Sequence, residues 1–170
     1  MKHLYFVRHG LSVMNKKGVF SGRTETPLDP EGITQARAAG KELRDLQIDL
    51  IVSSPMERCR ETATIIAKQI GYPVAEIIFE DLFMERAFGV LEGTEYRTDM
   101  DLDMHEGVET AKNIIQRARK GIEYLEGLKH DNILVVSHGA IGRALRHALH
   151  PEIPYHGSER FENAKIVQLL

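Results

Sequence analysis

Three short runs of this chain are apolar without interruption: LYFV at residues 4–7, LIV at 50–52 and ILVV at 133–136. A strand with one wet face alternates polar and apolar residues. A continuous run instead requires cover on both faces, the condition of a parallel sheet with helices above and below it. Stretches of helical spacing lie between the runs. One opens at Leu28-Asp29-Pro30, with Asp29 as cap, Pro30 at the first helical position and Leu28 stapled onto Ile33. Its apolar positions are Ile33, Ala36, Gly40 and Leu43. Ser54-Pro55-Met56-Glu57 reads as a capping box ahead of Cys59, Ala63, Ile66, Ala67 and Ile70. A third helix is expected to bury Val108, Ala111, Ile115, Ala118, Ile122 and Leu125, and a fourth Ile141, Ala144, Leu145, Ala148 and Leu149. The alternation predicts an α/β fold, three-layer α/β/α with a mainly parallel central sheet, and weaker strands at 74–79 and 166–170 toward an edge. All 170 residues are expected to form one domain. Residues 80–106 fit neither period; nine carboxylates stand there against Arg86 and Arg97, and the stretch is predicted to be a short irregular lid.

A chain of this size buries about 70% of its unfolded surface, so neither a disulfide nor a structural metal is needed. Cys59 is the only cysteine, which excludes an internal disulfide and suits a reducing cytoplasm; its inward spacing reads as a small buried hydrophobe. Only four apolar residues follow Met1-Lys2-His3 before Arg8, too few for a leader, and no apolar run is long enough to span a membrane. A formal charge of −3 disfavours a general nucleic-acid or membrane-surface binder. There is no Cys/His zinc spacing, no GxxxxGK[ST] and no strand-following GxGxxG, so neither metal nor cofactor is expected. Self-association is open; an edge strand or helix could support a homodimer without leaving a signature.

Each apolar run ends in residues that do not suit a core. The first delivers Arg8, His9 and Gly10; the second Ser53 and Ser54, with Arg58 one turn into the next helix; the third Ser137, His138 and Gly139. Singly, each has an ordinary explanation as a surface or capping residue. In parallel α/β sheets, however, ligands bind beyond the carboxyl ends of the strands. Two arginines, two histidines and two helix N-termini would then meet at one edge, which describes an anion site. A neutral imidazole can attack phosphorus, and arginines can hold the equatorial oxygens, so phosphoryl transfer is the indicated chemistry.

These residues sit in motifs that resemble the histidine phosphatase superfamily, which includes the cofactor-dependent phosphoglycerate mutases. The resemblance spans nearly the whole chain: VRHGLSVMN (7–15), FSGRTETPLDPEGITQA (20–36), IVSSPMERCRETA (51–63), ERAFGVLEG (85–93), GVETA (107–111), VVSHGAIGRAL (135–145) and NAKIVQL (163–169). It implies that His9 is the phosphorylated nucleophile, and that Arg8, Arg58 and His138 complete the phosphate pocket. It further implies that Glu85 is general acid to the leaving group and then base toward water, with the Gly139 amide as a further donor. Asn15, Ser21 and Gly22 match substrate-pocket positions, Glu109 and Thr110 more weakly. Arg8 and Arg58 should disfavour protonation of His9. Glu85 is expected to be held partly protonated by desolvation and lid carboxylates, and His138 to act as a charged donor.

The mutases resembled carry a longer insertion, with basic residues that grip a carboxylate, after the position of Glu85. Here only 21 residues separate Glu85 from Gly107, and the charges among them are predominantly acidic. An acidic lid should repel a small polyanion and favour a less charged ester. The expected activity is therefore metal-independent hydrolysis of small phosphomonoesters, ahead of mutase activity or phosphate binding without turnover. FSGRTETPL with VLEG resembles the α-ribazole phosphatase branch, and the short length resembles protein-phosphohistidine phosphatases, which lack the matches at Asn15 and FSG.

Overall fold

The computed structural model describes residues 1–170. Its sheet has the order β3-β2-β4-β1-β5, built from β1 (His3–Arg8), β2 (Leu50–Ser53), β3 (Ile78–Phe79), β4 (Asn132–Ser137) and β5 (Ile166–Gln168). All neighbours run parallel except β5, which pairs antiparallel along the free edge of β1.

The apolar runs are continuous because each strand serves two cores. Leu4, Phe6, Ile133 and Val135 face α4 (Ala111–Gly127) and α5 (Gly139–Leu149). Val7, Ile51, Leu134 and Val136 face α2 (Pro30–Glu42) and α3 (Glu57–Ile70). A short helix α1 (Val13–Lys16) precedes α2. The chain leaving β1 passes to the α2/α3 face and the chain leaving β4 to the α4/α5 face, so a crevice opens between their carboxyl ends.

Local readings fared unevenly. Asp29 caps α2 as expected, accepting from the Glu31 amide at 3.0 Å, with Pro30 at its first position. The capping box at Ser54 does not form. Helix α3 begins two residues later than that reading implied, with Met56 in the cap position. The Glu57 amide is taken at 2.8 Å by Glu25, a carboxylate from a distant loop that sequence spacing could not indicate. In α4 the fully buried stripe is Ile114, Ala118, Gly121 and Leu125; Ile115 and Ile122 pack only at its margin, and Val108 lies before the helix. Of residues 74–79, the first three form a 3-10 turn and only the last two a strand.

The 80–106 segment is irregular yet anchored. Arg117 of α4 donates to the carbonyls of Leu82 (2.8 Å) and Met84 (2.7 Å) while paired with Glu109 (2.7 Å). Arg86 is buried, bonded to the Glu109 carbonyl and ion-paired with Asp103. Phe88 and Leu91 pack with Phe20 in a small satellite core.

Candidate active site

The ends of β1 and β4 open into a cavity of about 260 Å³. Arg8, His9, Asn15, Ser21, Gly22, Arg58, Glu85 and Gly139, read from scattered parts of the sequence, all line it.

His9 is almost fully buried. Its Nδ1 lies 2.7 Å from the Gly10 carbonyl, which can only accept, so the proton resides on Nδ1. Its Nε2 accepts from Arg58 Nε at 3.3 Å and therefore carries the lone pair. Burial, then the charges of Arg58 and Arg8, push its pKa well below the ordinary histidine value. Gly10 must be glycine: a Cβ there would lie 2.9 Å from the carbonyl carbon of Gly32.

Arg58 is a buried cation held by backbone. Its guanidinium donates to the Gly22 carbonyl at 2.6 Å and the Thr24 carbonyl at 3.1 Å, which ties the 20–26 loop to α3. Arg8 donates to the Phe161 carbonyl at 3.0 Å and keeps a buried Nε without a partner. Burial, the leading influence on it, lowers its pKa. Asn15 spends Oδ1 on the Ser12 amide in a capping box on α1, leaving its Nδ2 uncommitted.

Glu85 has a different setting from the expected one. Its carboxylate accepts from the amides of Ala140 (3.2 Å), Ile141 (3.2 Å) and Arg86 (2.9 Å), so it sits on the N-terminus of α5 rather than among other carboxylates. The Gly139 amide, one residue earlier, remains for the cavity.

His138 also departs from expectation. It is fully buried, does not line the cavity, and packs edge-on against His9 with ring centroids 5.2 Å apart. Its Nε2 hydrogen-bonds Ser54 Oγ at 2.8 Å, while the same oxygen accepts from the Met56 amide at 3.3 Å ahead of α3. Burial first, then Arg58, His9 and Arg8, hold its pKa well below the usual value, so it stands neutral rather than as a charged donor. Cys59 Sγ lies 3.3 Å from the same nitrogen, and burial pushes that thiol's pKa up, leaving an inert group. Glu109 and Thr110 lie outside the cavity: Glu109 pairs with Arg117, and Thr110 caps α4.

The acidic lid is the clearest revision. Of its nine carboxylates only Glu85 lines the cavity, against four arginines: Arg8, Arg58, Arg143 and Arg160. Of the others, Asp103 is engaged by Arg86, Asp99 by Arg97, and Glu92 by the Arg23 and Phe88 amides, while Asp101 lines the neighbouring cavity. The cavity is therefore basic, and the expected repulsion of polyanions fails. Sequence reasoning also missed Asn163, whose side chain donates to the His9 carbonyl at 2.8 Å, and the aromatic wall of Phe20, Phe88, Tyr96 and Phe161. Asn163 lay in a quoted motif and was detectable there; the aromatic residues carried no distinguishing pattern.

Comparison with known proteins agrees with this geometry. The model of the histidine phosphatase superfamily (branch 1) matches residues 4–169. An uncharacterized phosphatase of Bacillus subtilis, PhoE, is 33% identical over 168 residues, covering 96% of this chain and 86% of its own. A 2,3-bisphosphoglycerate-dependent phosphoglycerate mutase of Parvibaculum lavamentivorans is 28% identical over 165 residues, 84% of this chain and 77% of its own. The crystal structure of the α-ribazole phosphatase from Shigella flexneri superposes with a TM-score of 0.82 at 26% identity, covering 98% of this chain and 89% of that one.

Proposed function

The chain belongs to the histidine phosphatase superfamily (branch 1), and from that premise we propose that it is a metal-independent phosphatase that hydrolyses small phosphomonoesters through a phosphohistidine on His9. The observation that carries the reading is the tautomer of His9: Nδ1–H is bound to the Gly10 carbonyl, and Nε2 presents a lone pair between two arginines.

In this reading Nε2 attacks phosphorus in line as the P–O bond to the alcohol breaks. Arg8, Arg58, the Asn15 amide and the Gly139 N–H hold the equatorial oxygens. Ser21 and Gly22 form the adjoining wall. Glu85 gives a proton to the departing alkoxide, then accepts one from the water that cleaves the N–P bond and releases inorganic phosphate. His138, packed edge-on against His9 and bonded to Ser54, holds the nucleophile's ring in place from the β4 side.

Hydrolysis is favoured over transfer to a second substrate because the cavity rim is wet: Tyr96 and Arg160 are exposed, and water can reach the intermediate. The mutase reading draws on one observation, the cavity's surplus of arginines. Release of phosphate from an aryl phosphate, with chelator present, by wild type and His9→Ala, tests the proposal. Hydrolysis abolished in the variant is expected. Hydrolysis that survives the substitution, or requires added metal, overturns it, and phosphoglycerate isomerisation outpacing hydrolysis selects the mutase.

A further inference from the structure

A second cavity, about 470 Å³, adjoins the first and shares Tyr96, Arg143 and Arg160 with it. It lies between the 96–102 part of the lid and the 155–160 loop, and no step of the proposed reaction uses it. Three of its polar groups are uncommitted. Arg143 and Arg160 take part in no ion pair; each lies over an aromatic ring, Arg143 over Tyr155 at 5.7 Å and Arg160 over Tyr96 at 4.9 Å. The other lid-side arginines differ: Arg86, Arg97 and Arg117 are each paired with a carboxylate. The third group is the Tyr155 hydroxyl, on a residue only 5% exposed, which lies beside the Arg86 guanidinium but makes no hydrogen bond of regular geometry.

A buried hydroxyl without a well-formed hydrogen bond costs the folded protein stability. The unneutralised Arg143 guanidinium adds like-charge repulsion on Arg8. Such an arrangement is unfavourable in the protein alone and becomes favourable once an anion bridges the three donors. Aromatic stacking also fixes the planes of both guanidiniums, which reduces the freedom lost on binding.

We propose that this second cavity is a subsite for an anionic group on the alcohol portion of the substrate. The preferred esters then carry a second negative charge, carboxylate or phosphate, a few bonds from the scissile phosphate. The inference rests on the phosphatase reading for the position of that phosphate. Its specificity elements, Arg143 from α5 and Arg160 and Tyr155 from the loop that follows it, are not lid residues.

Three small probes separate the possibilities: propyl phosphate, 2-carboxyethyl phosphate and propane-1,3-diyl bisphosphate. Calorimetric titration of His9→Gln, which cannot form the proposed intermediate, reads affinity without turnover. At low ionic strength at least one charged probe should bind about tenfold or more tightly than propyl phosphate, as expected for hydrogen bonds to charged groups. The ratio should collapse several-fold in Arg160→Gln and Tyr155→Phe, each in the His9→Gln background. Which probe leads tells carboxylate from phosphate. Equal affinity for all three, or a ratio unchanged by both substitutions, overturns the subsite. Because binding is read apart from hydrolysis, failed turnover of aryl phosphate removes the catalytic reading while leaving this result interpretable.

Discussion

Replacing Gly22 with alanine should unfasten the lid from the floor of the cavity, through a side chain far away in sequence. Gly22 has φ +50°, and a Cβ there would lie on the Glu92 carboxylate, with Glu92 Cδ only 2.6 Å away. The left-handed backbone itself costs an alanine about 1–2 kcal/mol. The larger part comes from Glu92, whose Oε1 accepts from the Arg23 amide at 3.0 Å and the Phe88 amide at 3.1 Å. Clearing the new methyl moves that oxygen by more than an ångström and breaks both bonds. Hydrogen bonds to a charged group contribute about 1.5–3 kcal/mol each, and the solvent-exposed Arg23 bond belongs at the low end. Gly22→Ala should therefore lose about 4 kcal/mol in urea unfolding, and Glu92→Ala about 3. In the double variant the methyl meets no carboxylate, so only the backbone share of about 1 kcal/mol should add to the Glu92→Ala loss. The double-mutant cycle should show about 3 kcal/mol of coupling. If Gly22→Ala alone is too unstable to purify, recovery of a folded protein in the double variant is the equivalent readout. Strict additivity, or a Gly22→Ala loss near 1 kcal/mol, would refute the clip between the 20–26 loop and the lid.

Acid sensitivity should trace to the two buried imidazoles. Between their lowered native pKa values and about 6.5 the unfolded chain binds more protons than the native state, so stability rises with pH there and is lost as pH falls through 6.5. Each histidine contributes a share of that loss between about pH 7.5 and 5.5; His9→Asn should remove one such share in urea titrations, and an undiminished loss would mean that His9 is not held neutral. Arg117→Met should cost about 2 kcal/mol by stranding Glu109 and the Leu82 and Met84 carbonyls, in a pair whose side chains are 14% and 13% exposed. It should also lower kcat by displacing Glu85, so in a Glu85→Gln background it should cause little further loss of rate; an equal loss in both backgrounds would show that Arg117 serves stability alone.

The strands, the helix face of α5, and four cavity-lining residues were legible because they depend on local pattern plus one topological rule. Uninterrupted apolar runs mark buried parallel strands, and residues that end such strands gather at one edge. His9, Arg8 and Gly139 need nothing more to be placed together. Arg58 needs only the fact that its helix starts there. Motif resemblance supplied Glu85, Asn15, Ser21 and Gly22, whose spacing alone carried no such meaning.

What the sequence could not determine is where each charge goes once the chain has folded. Nine lid carboxylates read as an acidic mouth, yet only Glu85 lines the cavity, Glu85 and Glu92 are taken up by backbone amides of other segments, and the mouth is basic. Ser54 read as a helix cap, yet its hydroxyl also reaches His138, 84 positions away. Glu25 caps α3 from a loop 32 positions off, and Arg143, Tyr155 and Arg160 meet only because the segment after α5 folds back over the lid. Hydrophobic burial follows the period of an element and is written along the chain; the partner of a polar group depends on which distant segment arrives beside it, and only the tertiary structure decides that.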